Sequence, residues 1–306
     1  MASHINDRRV LITGLSGFTG RHLAETLTQA GWQVAGLGGQ QLPCEFDHLE
    51  ADLNETDRLR DWIKQVRPTH VIHLAALAHV TGSDALSYYR VNVLGTESLL
   101  TAIIESNIDI EKVVVASSAN IYGNALSSPI VEFAQPQPMN HYALSKFAME
   151  ALLRKWFVRL PILVTRPFNY TGPGQSESFV FSKIVGAFAR GEKEIRLGNL
   201  DVSRDLSDVR YVVEAYARLL TCEKHSEFIN ICSGRSISLL SVIDEMVQIA
   251  GYRPNIVVDP AFVRSDEVKE LYGSSAKLFD TVGLLEVPSL HETLLSMYQQ
   301  KARVQG

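Results

Sequence analysis

Cysteine is scarce in this sequence. Cys44, Cys222 and Cys232 are the only three in 306 residues, and no Cys-x-x-Cys pair occurs. An odd, scattered count argues against a disulfide framework and for reduced thiols in a cytosolic protein, most of them buried as small hydrophobes. The nine histidines show no His-Glu-x-x-His spacing, so no metal site is expected. No apolar run nears the roughly 20 residues that span a bilayer, so no membrane role is expected. Charge is balanced, with a net −5, which gives nucleic acid or an anionic membrane surface nothing to recognise. The opening "MASHINDRR" lacks the apolar core of a secretory signal and reads as an unstructured leader or a cloning remnant. Internal repeats and low-complexity stretches are also missing.

What is present is an ordinary globular composition, 46% hydrophobic and 21% charged, long enough for one large domain or two intimate ones. The first half alternates continuous apolar runs with amphipathic stretches. Strands are expected at 9–14, 33–38, 70–76, 112–118 and 161–167. Helices are expected at 20–31, 55–66, 88–106 and 142–158. Continuous apolar strands separated by helices predict βαβ units and a parallel sheet buried on both faces. After Pro167 the pattern changes to "PFNYTGPGQSESF", a loop, then a helix over 179–190, a short β segment near 194–198 and a strand in 227–234. The expected fold is α/β: a doubly wound parallel-sheet Rossmann domain with a smaller mixed C-terminal substrate lobe. The first unit spans 1–166, with 206–233 returning to it; the lobe takes 167–205 and 234–306.

Gly14, Gly17 and Gly20 form G-x-x-G-x-x-G between the first strand and the first helix. That context is the one in which glycines admit a tight turn, a pyrophosphate against backbone, and close helix–strand packing. An acid at the end of the second strand would hold the 2′-hydroxyl of NAD. "AGLGGQQ" has none, which favours NADPH. Arg21 either reaches a 2′-phosphate or is a solvated first-turn residue. Asp52 either holds the adenine amino group or is a surface acid. Tyr142 and Lys146, four apart, share one helix face. An ammonium beside the ring, with the positive nicotinamide, would lower the tyrosine pKa from about 10 toward neutral. Ser118, leaving a strand end, is placed to hydrogen-bond the same oxygen.

These features, with "HLAA" (73–76), "NVLGT" (92–96), "SSANIYG" (117–123), "YALSK" (142–146) and "RPFNYTGPGQ" (166–175), resemble the extended short-chain dehydrogenase/reductases that act on nucleotide sugars. The resemblance continues through "LGNLDVSRD" (197–205) and "VRSDEVKELYGSSAKL" (263–278) and departs at "VGLL" (282–285), where that family usually has Gly-Trp. It implies Tyr142 as acid/base and Lys146 on the nicotinamide ribose, depressing the tyrosine pKa. Ser118 would hold the sugar oxygen. Cofactor contacts would come from the Gly14–Gly20 turn with Phe18, Thr19 and Arg21, and from Asp52 and Leu53. Leu74, Ala75 and Ala76 would line the adenosine half, with Asn92 supporting the network and Pro167 nearby. Asn169, Arg204 and Arg264 would grip the diphosphate and ribose of the sugar nucleotide, since arginine binds phosphate bidentately. His79, Asn120 and Val180 complete the implied substrate set. A homodimer through the helices bearing Asn92 and Tyr142 is also implied.

Within that family, dehydratases carry an Asp-Glu-type acid/base pair directly after the serine or threonine. Here Ala119 and Asn120 stand there, and neither transfers a proton at neutral pH. The epimerase/reductases that make GDP-fucose place a cysteine where this chain again has Asn120. Tyr122 packs the loop in this reading. The expected reaction is therefore NADPH-dependent reduction of the C4 ketone of a nucleotide-linked 4-keto-6-deoxyhexose, GDP-4-keto-6-deoxy-D-mannose to GDP-D-rhamnose. The alternatives are a dTDP-linked substrate giving 6-deoxytalose or fucose, a nucleotide-sugar 4-epimerase holding NAD tightly, and a non-catalytic dinucleotide sensor.

Overall fold

The computed structural model describes residues 8–39, 46–78, 84–125, 127–263 and 268–305. Its centre is a seven-stranded sheet in the order β10-β6-β5-β4-β1-β2-β3, every neighbouring pair parallel. The strands are β1 (Arg9–Thr13), β2 (Gln33–Gly38), β3 (Asp47–Glu50), β4 (His70–His73), β5 (Lys112–Ala116), β6 (Ile162–Pro167) and β10 (Glu227–Ile231). Val10–Ile12 and Val113–Val115 are completely buried, as strands covered on both faces must be.

One face is covered by α1 (Phe18–Gln29), α7 (Val209–Thr221) and α9 (Ala276–Val282), which bury Leu23, Leu27, Tyr216, Leu219 and Leu278 against the sheet. The other carries α2 (Thr56–Val66), α4 (Gly95–Ser106) and α5 (His141–Leu153), through Leu59, Ile63, Leu99, Ile103, Met149 and Leu153. Chain order reverses between β1 and β4. In a doubly wound sheet, that reversal opens a crevice at the carboxyl ends of the two strands.

Beyond those ends lies a second layer. Strand β7 (Asn169–Thr171) pairs with β9 (Ser203–Asp208), which also pairs with β11 (Ser236–Ser238) and β13 (Glu270–Leu271). Strands β8 (Glu194–Leu197) and β12 (Asn255–Val258) form a separate ribbon. Helices α6 (Val180–Ala189), α8 (Leu239–Ala250) and α10 (Leu290–Gln305) close a core of their own around Ile184, Phe188, Ile243, Met246 and Leu294. Asp205 knots this layer to the end of β10. Its buried carboxylate accepts N–H bonds from Ser233, Gly234 and Gly273 and the Ser233 hydroxyl.

Several boundaries differ from expectation. The helix expected over 20–31 begins at Phe18. The one expected over 142–158 stops at Leu153, where Lys155, Trp156 and Arg159 switch to i−3 hydrogen bonds. The stretch expected as one helix over 88–106 is α3 (Ala85–Tyr89), a π-helical turn (Arg90–Leu94) and then α4. Strand β3 was not expected at all. Cys232 is fully buried, Cys222 is half-buried, and Cys44 lies outside the described residues. Among the described residues no helix is long and apolar enough to cross a membrane.

Candidate active site

The crevice begins at Gly14. Its φ of +73° is left-handed, and a Cβ there would stand 2.8 Å from the Ala75 nitrogen. A Cβ on Gly20 would lie 2.6 Å from the Leu15 Cα and closer still to the Gly14 carbonyl oxygen. The turn is closed by Gly17 N–H bonding the Gly14 carbonyl at 3.0 Å. Helix α1 then starts at Phe18 with no side chain capping it. Uncapped first-turn N–H groups and the helix dipole suit a pyrophosphate, so this cradle fits a dinucleotide. Phe18 stacks on Tyr170, with centroids 6.0 Å apart, and Thr19 Oγ1 meets the Tyr170 hydroxyl at 2.7 Å, tying the turn to β7. Arg21 is exposed on the first turn.

The facing loop, Leu74–Leu77, is pinned from two sides. Thr13 Oγ1 accepts the Ala75 N–H at 3.2 Å and lies 2.6 Å from His73 Nδ1. His73 Nε2 lies 2.8 Å from Thr96 Oγ1, whose hydrogen goes to the Asn92 carbonyl. This order assigns the Nε2–H tautomer, with the Thr13 hydroxyl donating to Nδ1. Burial pushes His73 down to about 3, and the charge of Lys146 adds to the effect. The π-helical turn aims Asn92 inward. Its Oδ1 accepts the Leu77 N–H at 2.8 Å, and its Nδ2 donates to the Leu77 carbonyl and to Ser145 Oγ. His73 and Thr96 were not singled out from the sequence. The available signal was a histidine closing an otherwise apolar strand. Leu74, Ala75 and Ala76 are half-buried in this loop. Asp52 is exposed, and hydrogen bonds from the Asn54 backbone and side chain hold its carboxyl below the usual range. Leu53 is buried under Gly95.

Helix α5 starts on Asn140, whose side chain accepts the Ala143 N–H at 2.9 Å. It places Tyr142 and Lys146 one turn apart. The Ser118 hydroxyl lies near enough to the Tyr142 phenol to favour its ionised form, and Lys146 donates to the Ala116 carbonyl at 2.7 Å. The three residues thus meet at the end of β5. Burial pushes Tyr142 up to about 12, with the nearby Ser118 hydroxyl opposing. This is the reverse of the downward shift expected from Lys146. Desolvation of the phenolate is the main cause, and the Lys146 ammonium is bonded to a backbone carbonyl. Burial also brings Lys146 down to about 8, opposed by the Glu150 carboxylate.

Ser118 Oγ accepts the Asn120 N–H at 3.1 Å and starts a 3₁₀ turn over Ala119–Tyr122. Ala119 is buried and Asn120 exposed. Tyr122 is completely buried, donates to Asn230 Oδ1 and accepts from Arg166, each at 2.8 Å. It packs the loop, as expected.

Of the expected substrate residues, Asn169, Val180 and Arg204 stand on the second layer, while Pro167, expected near the cofactor, ends a strand of the central sheet. Pro167 ends β6 half-buried, and Asn169 opens β7 exposed. Val180 is exposed at the start of α6. Arg204 is half-buried on β9, donating to the Ser203 and Lys269 carbonyls. His79 and Arg264 lie outside the described residues.

Comparisons with known proteins agree with this architecture. The family model for GDP-mannose 4,6 dehydratase matches residues 11–297. The GDP-6-deoxy-D-talose 4-dehydrogenase of Aggregatibacter actinomycetemcomitans is 32% identical, covering 96% of this chain and 98% of its own. The GDP-6-deoxy-D-mannose reductase of Pseudomonas aeruginosa is 35% identical over 97% of this chain and 99% of its own. The solved structure of RMD from Pseudomonas aeruginosa complexed with NADPH superposes with a TM-score of 0.88 at 32% identity, covering 99% of this chain and all of that one. With a match over almost its whole length, the chain belongs to the GDP-mannose 4,6 dehydratase family.

Proposed function

We propose that this chain is an NADPH-dependent 4-ketoreductase acting on a nucleotide-linked 4-keto-6-deoxyhexose, converting GDP-4-keto-6-deoxy-D-mannose to GDP-D-rhamnose. The observation that carries this reading is the Ser118–Tyr142–Lys146 cluster beside a loop whose next two residues are Ala119 and Asn120. The loop offers no side chain for elimination or for proton exchange at carbon. The relatives whose names specify GDP-6-deoxyhexose redox chemistry support the same reading.

The Gly14–Gly20 turn and the uncapped start of α1 would hold the cofactor diphosphate, and the pinned Leu74–Leu77 loop would pack its adenosine half. The missing acid after β2 and the exposed Arg21 favour a 2′-phosphate. When bound, NADPH supplies the two-electron reduction of the C4 carbonyl. The protein's part is at the oxygen. Tyr142, protonated at neutral pH because burial raises it to about 12, donates its proton to the developing alkoxide. Ser118 donates a second hydrogen bond to that oxygen, and the Lys146 ammonium stabilises the phenolate left behind. Asn169, Arg204 and Arg264, with His79, Asn120 and Val180, would hold the sugar nucleotide. In this reading 1–166 with 206–233 is the cofactor unit, 167–205 with 234–306 the sugar-nucleotide lobe, and the reaction cytoplasmic.

The test is an absorbance assay of NADPH oxidation with GDP- and dTDP-linked 4-keto-6-deoxyhexoses and NMR identification of the product. One NADPH consumed per GDP-rhamnose formed is expected, from protein purified without bound NAD. No turnover of any 4-keto sugar sinks the reading. A kcat/KM with NADH equal to that with NADPH overturns the cofactor assignment.

The same reading includes a homodimer. Leu94 on the π-helical turn and Leu144 and Phe147 on α5 are exposed apolar side chains on adjacent elements, with Leu86 nearby on α3. A second copy would cover them. Light scattering should give twice the 34.0 kDa chain mass. Leu144→Glu with Phe147→Glu should halve it; a monomeric wild type refutes the dimer.

A further inference from the structure

Two turns of α5 beyond Tyr142, and one beyond Lys146, stands Glu150, with only 2% of its surface exposed. Positions 142, 146 and 150 share one helix face. A buried carboxylate needs a partner, and Arg166 on β6 supplies it with two parallel bonds: Nε to Oε1 at 2.9 Å and Nη2 to Oε2 at 2.6 Å. The remaining Arg166 nitrogen, Nη1, holds the Tyr122 hydroxyl and the Glu132 carbonyl. One buried ion pair therefore joins the helix carrying Tyr142 and Lys146 to the loop that starts at Ser118.

The surroundings of Lys146 give this pair a consequence. Its ammonium is buried and bonds the Ala116 carbonyl. On α5 it is flanked by Tyr142 and Glu150. On β4, His73 feels its charge and is held neutral by burial. Arg166 bonds the carboxylate, and Glu150 is the charge that acts on Lys146. Glu150 is thus the negative charge among these groups. Removing it leaves a buried ammonium with no opposite charge and the Arg166 cation unneutralised nearby, which favours loss of the proton. Buried ion pairs add little net stability relative to apolar replacements, so stability alone gives this arrangement little reason to exist.

We propose that Glu150, clamped by Arg166, is a positioning residue for the reaction, acting through Lys146 by keeping its ammonium charged beneath Tyr142. The proposal rests on the roles assigned to Tyr142 and Lys146 above. It predicts shifts of opposite sign. Glu150→Gln should move the high-pH limb of kcat to lower pH by about one unit. Arg166→Gln, which leaves the carboxylate unneutralised, should move it to higher pH. A structural role alone predicts two destabilised proteins with unmoved limbs.

The experiment is the kcat pH profile of both variants with NADPH and the 4-keto sugar, after circular dichroism has confirmed folding. The double variant Glu150→Met/Arg166→Met, which removes both charges with little change in volume, stands in if a single variant does not fold; its limb should move down as in Glu150→Gln. In parallel, NMR titration of ¹³C-labelled lysine, assigned with Lys146→Met, reads the Lys146 proton without turnover and should show the same shifts. An unmoved limb and titration in every folded variant lacking Glu150 overturn the inference and leave the reaction standing. Wild-type turnover in Tyr142→Phe overturns the reaction, and the Lys146 titration then still decides the claim about Glu150.

Discussion

Tyr142→Phe is expected to lower kcat by about 10²–10⁴-fold, the usual worth of a positioned general acid, while the Kd for NADPH stays within about twofold. The change removes one oxygen and keeps the ring, which packs 6.4 Å from Tyr88. The Ser118 hydroxyl keeps the Asn120 N–H. Fluorescence titration with NADPH and single-turnover kinetics separate the two quantities. The prediction is demanding because the phenol is held protonated. A tyrosine pushed up to about 12 is a weak acid until an alkoxide develops beside it, so its contribution comes almost entirely in the transition state. A variant retaining more than a tenth of kcat would show that Ser118 or water delivers the proton.

The direction of that shift was not legible in the sequence. Tyrosine and lysine four apart announce a shared face, and an ammonium near a phenol argues for a lowered pKa. Burial depends on what β4, β5 and β6 bring around the pair, and desolvation wins. The same limit hid Glu150 and Arg166. Both are charged, and charged residues read as surface until a tertiary partner is known. Strand β3 was missed because "DHLE" has no apolar run; it is an edge strand, paired only with β2 and partly exposed throughout. The π-helical turn escaped because one extra residue per turn barely disturbs an apolar pattern. What could be read was whatever depends on local chemistry: the doubly buried strands, the glycine turn and the Tyr142–Lys146 spacing. Asn169 and Arg204 stand on a second sheet whose short strands carry almost no periodic signal. The family description names a dehydratase, yet positions 119 and 120 carry no acid or base. Family membership therefore does not fix the reaction, and the loop after Ser118 decides more than the fold does.

The glycine turn gives the second large effect, because its glycines serve different ends. Gly20→Ala should cost about 3 kcal/mol or more, at the upper end for overpacking a closed site. Its Cβ meets Leu15 Cα and the Gly14 carbonyl, which are backbone and cannot swing away. Gly17 is different. Its φ of −74° suits any residue, and an added Cβ meets only the Gly14 oxygen, at 3.1 Å. Gly17→Ala should therefore lose less than about 1 kcal/mol of stability, yet weaken NADPH binding by more than tenfold, about 1.4 kcal/mol. The methyl would stand where the diphosphate must approach the backbone. Urea unfolding and NADPH titration of both variants read the two effects separately. If Gly17→Ala binds NADPH as tightly as the wild type, the diphosphate does not approach this turn closely. The middle glycine would then be a residue the fold tolerates, with no part in holding the cofactor.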